Sequence, residues 1–276
     1  MKAWPAPAKL NLFLHVTGRR ADGYHLLQTV FRFIDYGDTL YFTVRDEPLV
    51  THANPLPGVL PQHDLTVRAA RLLQAHTGTS QGVEIRLDKR LPMGGGLGGG
   101  SSDAATTLIA LNQLWQTGLS RAELEVLGLQ LGADVPIFVH GHAAFAEGVG
   151  EAFTDVHLLP SSYLVLIPPV SVPTPAIFSS PDLCRSTPVI SPSDWSAGQG
   201  RNDLEPIAVQ LYPEVGAYLD LLRPYGVARM SGSGACVFVE FADAKAAQAA
   251  LEQLPTHVRG FVADGLDQHP LQDCLT

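Results

Sequence analysis

Cysteine and positive charge are both scarce in this chain. Cys184, Cys236 and Cys274 are its only cysteines, scattered with no C-x-x-C pair and no histidine-rich spacing. That pattern excludes a disulfide frame and a zinc site of the usual spacing, and it predicts reduced thiols in a cytosolic protein. Lys and Arg number 18 against 27 Asp and Glu, a net charge of −9. General nucleic-acid binding and membrane-surface binding need a basic face, so neither partner is expected. If the ligand is an anion, backbone N–H groups and a few placed cations must attract it. Long apolar runs are missing too. The longest, around 163–167, is far too short to span a membrane. The opening Met-Lys-Ala-Trp-Pro-Ala-Pro has no signal-peptide core, so export is not expected. No internal repeat or low-complexity segment is evident. What remains is an ordinary globular composition, 46% hydrophobic and 16% charged. At 276 residues the chain has room for two domains.

Glycine is present where it is hardest to place. Six of the seven residues from Gly94 to Gly100 (Gly94, Gly95, Gly96, Gly98, Gly99 and Gly100) are glycine, with Leu97 the exception. Such a run is poor helix or strand material, because each glycine loses the most entropy on ordering. Before it, Val83, Ile85 and Leu87 alternate with Glu84, Arg86 and Asp88, a half-buried strand. After it, 104–115 reads as a helix that Ser101, Ser102 or Asp103 can cap. Strand, glycine loop and capped helix form the layout of a phosphate site at a helix N-terminus. The Walker pattern fails, because no lysine follows the glycines. The dinucleotide pattern G-x-G-x-x-G is met by Gly94, Gly96 and Gly99, but its acid at a second strand end is missing. Glu123 stands near that distance and belongs instead to a capping box with Ser120. A flexible linker is the plain alternative; linkers are not normally bracketed in this way.

Other residues carry candidate chemistry. In the strand over 8–16, Ala8, Leu10, Leu12, Leu14 and Val16 face one way, and Lys9, Asn11, Phe13 and His15 the other. Lys9 and Asn11 then lie side by side, about 7 Å apart. They form either a solvent face or a site. Asp134, just before Pro136 and after the helix-stop Gly132, reads as a helix N-cap, as a carboxylate ready to take a proton, or as both. Tyr24 and His25 follow the turn signal Asp22-Gly23 and suit a flat ring, or simple packing. Ser231-Gly232-Ser233-Gly234 is a second small-residue loop.

Further strands are expected over 39–44 and 163–167, and helices over 65–75 and, with breaks near Pro206 and Pro213, 202–222. Strands at 226–230 and 235–241, a helix begun by Asp243 and a strand at 258–263 complete a βαββαβ order, the ferredoxin-like split. The Pro- and Ser-rich stretch 168–200 is a binding loop or a disordered excursion.

Three segments together resemble the GHMP kinase superfamily: Pro7-Ala8-Lys9-Leu10-Asn11-Leu12, the run from Pro92 to Asp103, and Ser231 to Cys236. Arg20 to His25, Asp35-Tyr36-Gly37-Asp38, Gly132 to Pro136 and Pro173 to Phe178 narrow the resemblance to a branch whose acceptor is cytidine diphosphate methylerythritol, on the non-mevalonate isoprenoid route. The resemblance implies an α+β, two-domain fold. An ATP-binding, ribosomal protein S5 domain 2-like part would span 1–155, and a ferredoxin-like, substrate-binding part 156–276. It implies a cytoplasmic kinase using ATP and Mg²⁺ on a small molecule, with Asp134 as base and Lys9 beside it. Gly94 to Ser102 would wrap the phosphates, and Lys89 and Met93 would approach adenine. Asn11 would hold the substrate, and Tyr24, His25, Thr174, Pro175 and Phe178 would form the cytidine pocket. Two positions depart from relatives that carry Asn there. Asp64 puts an adenine contact in doubt, and Asp103 requires a capping or Mg²⁺-facing role. The alternatives are a dinucleotide-dependent oxidoreductase and a member that binds without turnover.

Overall fold

The alternation at 8–16 belongs to a longer strand, β1 (Trp4–Arg19), in a computed structural model that describes residues 2–274. β1 turns back at Arg20–Tyr24, where Gly23 takes a φ of 92°, and pairs antiparallel with β2 (His25–Arg45). Both faces of β1 are covered. Lys9 and Asn11 are 2% and 3% exposed, so the solvent-face reading of this strand does not hold.

β3 (Val50–His52) and β4 (Gly82–Asp88) extend the sheet on the far edge of β2, and β5 (Ala144–Glu147) with β6 (Ala152–Asp155) adds a short hairpin. Helices α1 (Leu65–Thr77), α2 (Gly99–Leu114), α3 (Arg121–Leu131) and α4 (Val135–His140) pack on one another and on this sheet. Local chemistry sets their ends. Asp64 caps α1 and Gly78 closes it in the left-handed region; Ser120 and Glu123 form the expected capping box of α3. α2 is buried all round from Ser102 to Leu111, as a helix enclosed by neighbours must be. It starts at Gly99, earlier than its apolar pattern predicts. Gly98 is its N-cap, so Ser101, Ser102 and Asp103 lie inside the helix and do not cap it.

The later strands are β7 (Ser162–Leu166), β8 (Arg229–Met230), β9 (Val237–Phe241) and β10 (Gly260–Leu266), with α5 (Thr174–Ser179), α6 (Glu205–Leu211), α7 (Pro213–Leu222) and α8 (Ala244–Gln253) between them. Their order, β10-β7-β9-β8 and antiparallel throughout, is that of a ferredoxin-like sheet. Among the described strands the ladders are antiparallel except the short β3–β4 one, which is not the parallel sheet a dinucleotide fold requires. The strand expected at 226–230 shortens to Arg229–Met230. Residues 168–200 are placed, not disordered: the Gln28 amide brackets Ile190 through bonds of 2.8 and 2.9 Å, and Trp195 stacks on Phe13. β10 also pairs with β2, Gly265 with Ile34 and Leu266 with Phe33, which joins both sets of strands in one sheet.

Candidate active site

The glycine loop follows β4 and enters α2. Gly94, Gly96 and Gly98 take φ values of 67°, 74° and 72°, the region that favours glycine. A Cβ on Gly96 would run into the Ser231 carbonyl oxygen, and one on Gly98 would meet the Phe138 ring at 2.9 Å and Lys9 Cε at 3.1 Å. Protein donors hold the loop's carbonyls. Cys236 N donates to Gly95 O (3.1 Å), Ser231 Oγ to Gly96 O (2.9 Å) and Lys9 N to Leu97 O (3.0 Å). The loop's N–H groups and the first N–H groups of α2 are therefore what an anion meets. The second small-residue loop closes over the first from the other set of strands. Asn202 Nδ2 donates to Met230 O and Gly232 O at 2.8 and 2.7 Å, and Thr174 bonds Ser233 at 2.7 Å.

Lys9 reaches the same place from β1. Its Nζ donates to Asn11 Oδ1 (2.5 Å) and pairs with Asp134 Oδ2 (3.3 Å). Asn11 in turn donates to Thr29 Oγ1 at 2.9 Å, and Thr29 donates to the Phe13 carbonyl. Asp134 precedes α4 but makes no capping bond; its carboxylate turns to Lys9 instead, and 41% of its side chain stays exposed. Asp134 thus stands at the N-cap position of α4 without making the capping bond. A nearly dry ammonium beside a half-open carboxylate is an arrangement that can hold an alcohol, take its proton and offset new negative charge.

A second charged group lies behind the loop. Lys89 Nζ sits 2.6 Å from both Asp38 Oδ2 and Asp103 Oδ2, and Asp38 Oδ1 accepts from Arg90 N and Leu91 N at 2.6 and 2.8 Å. Burial pushes the Asp103 carboxyl up to about 8; Lys89 opposes the shift and Asp38 adds to it. Burial works against the Lys89 charge, but Asp103 and Asp38 outweigh it and raise the ammonium. Asp103 therefore does not cap α2; it pairs with Lys89. Asp64 Oδ1 is committed to the backbone of Thr66 and Val67, at 2.9 and 3.4 Å.

A cavity of about 540 Å³ gathers most of the expected residues on its walls: Lys9, Asn11, Lys89, Met93, Gly94 to Ser101, Asp134, Thr174 and Phe178. That size suits a nucleotide with a small acceptor. Four expected residues stand outside the wall. Ser102 is fully buried with its Oγ unpartnered. Tyr24 is 62% exposed at the β1–β2 turn, and Pro175 is also off the wall. His25 lies behind Phe178, ring centroids 4.8 Å apart. Sequence reasoning gave no role to Asp38, Thr29, Asn202 or Arg185. Asp38 stood in a noted motif, but the bonds of Thr29 to Asn11, Asn202 to Met230 and Arg185 to His25 span 18, 28 and 160 positions.

Comparisons with known proteins give the family and the fold. The family models described as GHMP kinases N terminal domain and GHMP kinases C terminal match residues 64–142 and 192–260. The chain is 62% identical over 269 residues to a 4-diphosphocytidyl-2-C-methyl-D-erythritol kinase of Dechloromonas aromatica, covering 97% of this chain and 98% of that one. It is 60% identical to the protein of that name in Thiobacillus denitrificans, covering 99% and 98%. A crystal structure of 4-(cytidine 5'-diphospho)-2C-methyl-D-erythritol kinase superposes with a TM-score of 0.82 at 34% identity, covering 96% and 99%. The Methanococcus jannaschii mevalonate kinase shares the fold, with a TM-score of 0.68 at 15% identity over 96% and 98% of the two chains. The chain belongs to the GHMP kinases and, within them, to the 4-diphosphocytidyl-2-C-methyl-D-erythritol kinase family.

Proposed function

We propose that this chain transfers the γ-phosphoryl group of ATP to the 2-hydroxyl of 4-diphosphocytidyl-2-C-methyl-D-erythritol, as a cytoplasmic enzyme of the non-mevalonate isoprenoid route. The observation that carries the reading is the Lys9–Asp134 pair, 3.3 Å apart, on the wall of the cavity that the glycine loop also lines. In the reaction, Asp134 accepts the hydroxyl proton as the alcohol oxygen bonds to phosphorus and the bond from phosphorus to the ADP oxygen breaks. Lys9 offsets the charge that develops, and Asn11 holds Lys9 and the acceptor in register. The loop from Gly94 to Ser102 wraps the phosphates through its unbonded N–H groups, that of Ser102 being taken by Gly98 O at 2.8 Å. Lys89 and Met93, on the same wall, are the proposed adenine side. Tyr24, His25, Thr174, Pro175 and Phe178 are the proposed cytidine side, with residues 1–155 as the nucleotide domain and 156–276 as the substrate domain.

Mg²⁺ is part of the proposal. Among the described residues no cluster of three His, Cys, Asp or Glu could hold a metal alone. That fits Mg²⁺, which keeps waters and takes phosphate oxygens with few protein ligands. The half-exposed Asp134 carboxylate, on the cavity wall, offers a protein oxygen that fits it. When bound it neutralises charge on the phosphate oxygens. An ATP-coupled assay with a panel of acceptor alcohols tests the function. Phosphorylation of the cytidine compound, with mevalonate and homoserine left unused, is expected. Comparable turnover of those two without the cytidine compound overturns the reading.

A further inference from the structure

We propose that His140, held as a cation between Glu125 and Asp155, is a positioning residue that keeps the base Asp134 in place, so that turnover falls when the ring gives up its proton. The inference rests on the reaction proposed above. The His140 ring meets a carboxylate at each nitrogen. Nε2 bonds Asp155 Oδ1 at 2.6 Å, and Nδ1 stands 3.4 Å from Glu125 Oε1. A neutral imidazole has one N–H and one lone pair; only the cation has a donor at both nitrogens. A neutral ring would therefore turn a lone pair on one of its two carboxylates. Burial works against the charge, yet Glu125 and Asp155 outweigh it and raise the ring's pKa. From α3 the residue also meets Arg121, whose Nη1 donates to the His140 carbonyl at 3.0 Å. Just past α4 the His142 ring stands edge-on at 5.9 Å, its Nε2 on the Gln272 amide at 2.6 Å.

His140 is the last residue of α4, and Asp134 stands at the other end of that helix. Six residues rise about 9 Å, so what holds one end aims the other. The middle of α4 reaches the site as well: the buried Phe138 ring packs against Gly98 of the glycine loop. No side-chain capping bond secures the start of α4. Its end is tied instead, to α3 by Arg121 and Glu125 and to β6 by Asp155. Only the protonated ring can bond both carboxylates at once. When the proton leaves, one carboxylate faces a lone pair and the tie to α3 or to β6 opens. Because the folded ring's pKa is raised, the clamp is complete at low pH and is lost as pH rises through the folded midpoint. His140 acts through α4 and touches no substrate.

The test follows kcat and KM for the cytidine compound across pH in wild type, H140R, H140Q and the double variant E125Q/D155N. NMR reads the His140 ring midpoint, the signal assigned by its loss in H140Q. In wild type that midpoint should lie above the ordinary value of about 6.5, and kcat should fall on the alkaline side with the same midpoint while KM changes little. H140R keeps its charge throughout and should lose this alkaline fall. H140Q should lower kcat at pH 7 by about 10-fold or more, within what a misplacement of about 1 Å costs, with KM nearly unchanged. E125Q/D155N strips both anions from the ring and should move the ring midpoint and the alkaline fall to lower pH together. A wild-type kcat that stays level through the ring midpoint overturns the proposal, as does an alkaline fall that H140R retains. Should H140Q fail to fold, H140R and E125Q/D155N still decide. A wild-type ring midpoint at or below about 6.5 sinks this proposal alone, whereas no turnover of the cytidine compound at any pH sinks the proposed reaction and this proposal with it.

Discussion

A carboxylate that caps a helix and one that takes a proton make different demands on a single atom. Asp134 makes no capping bond, so Asp134→Asn leaves the start of α4 intact while it removes the base and the counter-charge of the buried Lys9 ammonium. We expect kcat to fall about 100-fold or more, the range of general base catalysis, with the protein still folded and the urea midpoint lowered. Normal turnover in this variant would leave Asp134 a structural partner of Lys9. Gly98 makes a second residue-scale case. At a φ of 72° a branched side chain is strained by roughly 1–3 kcal/mol, and its Cβ would also press on Phe138 and Lys9 Cε. Gly98→Val should abolish ATP binding in calorimetry while the far-UV spectrum stays folded. Retained nucleotide affinity would mean that the loop serves a turn and not a phosphate. The glycine run was legible in the sequence from residue type and spacing alone, whereas Lys9 and Asn11 read equally as a solvent face until the family resemblance singled them out. Thr29 was not legible, since its bond to Asn11 spans 18 positions.

At the scale of the element, the start of α2 depends on charges outside the helix. Lys89, on the segment after β4, pairs with Asp103 in α2 and with Asp38 in β2, and Asp38 also holds the backbone of Arg90 and Leu91, which leads into the glycine loop. Removing one partner of a buried charged pair costs about 3–5 kcal/mol, because the other is left uncompensated. Asp38→Ala should therefore cost about that much in denaturant unfolding and raise the KM for ATP. Asp103→Asn should cost less at pH 7, since burial already favours the neutral carboxyl there, with its midpoint near 8. That midpoint stands above the unfolded carboxylate's value, so this group's contribution is complete at low pH and is lost as pH rises towards 8. Equal losses in the two variants would refute the asymmetry. The same helix shows where sequence reading fails. The capping box of α3, the Asp243 cap of α8 and the period of β4 were legible because each is written within a few residues. The first turn of α2 is glycine and serine, which local propensity refuses; packing against α1, α4 and β1 overrides it.

Across the whole molecule, the β2–β10 pairing and a shared core make the two sets of strands interdependent. That core joins Ala8, Leu10, Phe13 and Phe145 to Tyr163, Val165, Phe238 and Phe261. Neither set can keep this surface dry alone, so calorimetry should give one transition with equal calorimetric and van't Hoff enthalpies. Two resolved transitions would show independent units. His269 belongs to the same fabric. Its backbone N–H bonds Gly141 O, its ring abuts Phe33 at 5.7 Å, and its Nδ1 accepts from Leu271 N at 3.1 Å. Burial pushes its pKa down to about 3. An unfolded histidine takes its proton near 6.5, so below that pH the unfolded chain binds the extra proton and stability falls with the pH. One such group contributes a slope of at most about 1.4 kcal/mol per pH unit. His15 and His52 are also held down by burial and act in the same direction. His140, where Glu125 and Asp155 overcome burial and raise the pKa, acts in the opposite one. His269→Asn, whose Oδ1 can take over the Leu271 bond, removes only the proton linkage of this residue. Urea midpoints at pH 7 and pH 5 should then differ less in the variant than in wild type. An unchanged difference would mean that His269 is already protonated in the fold, and that the ring pays for its charge with a partner the packing around Phe33 and Phe138 does not offer.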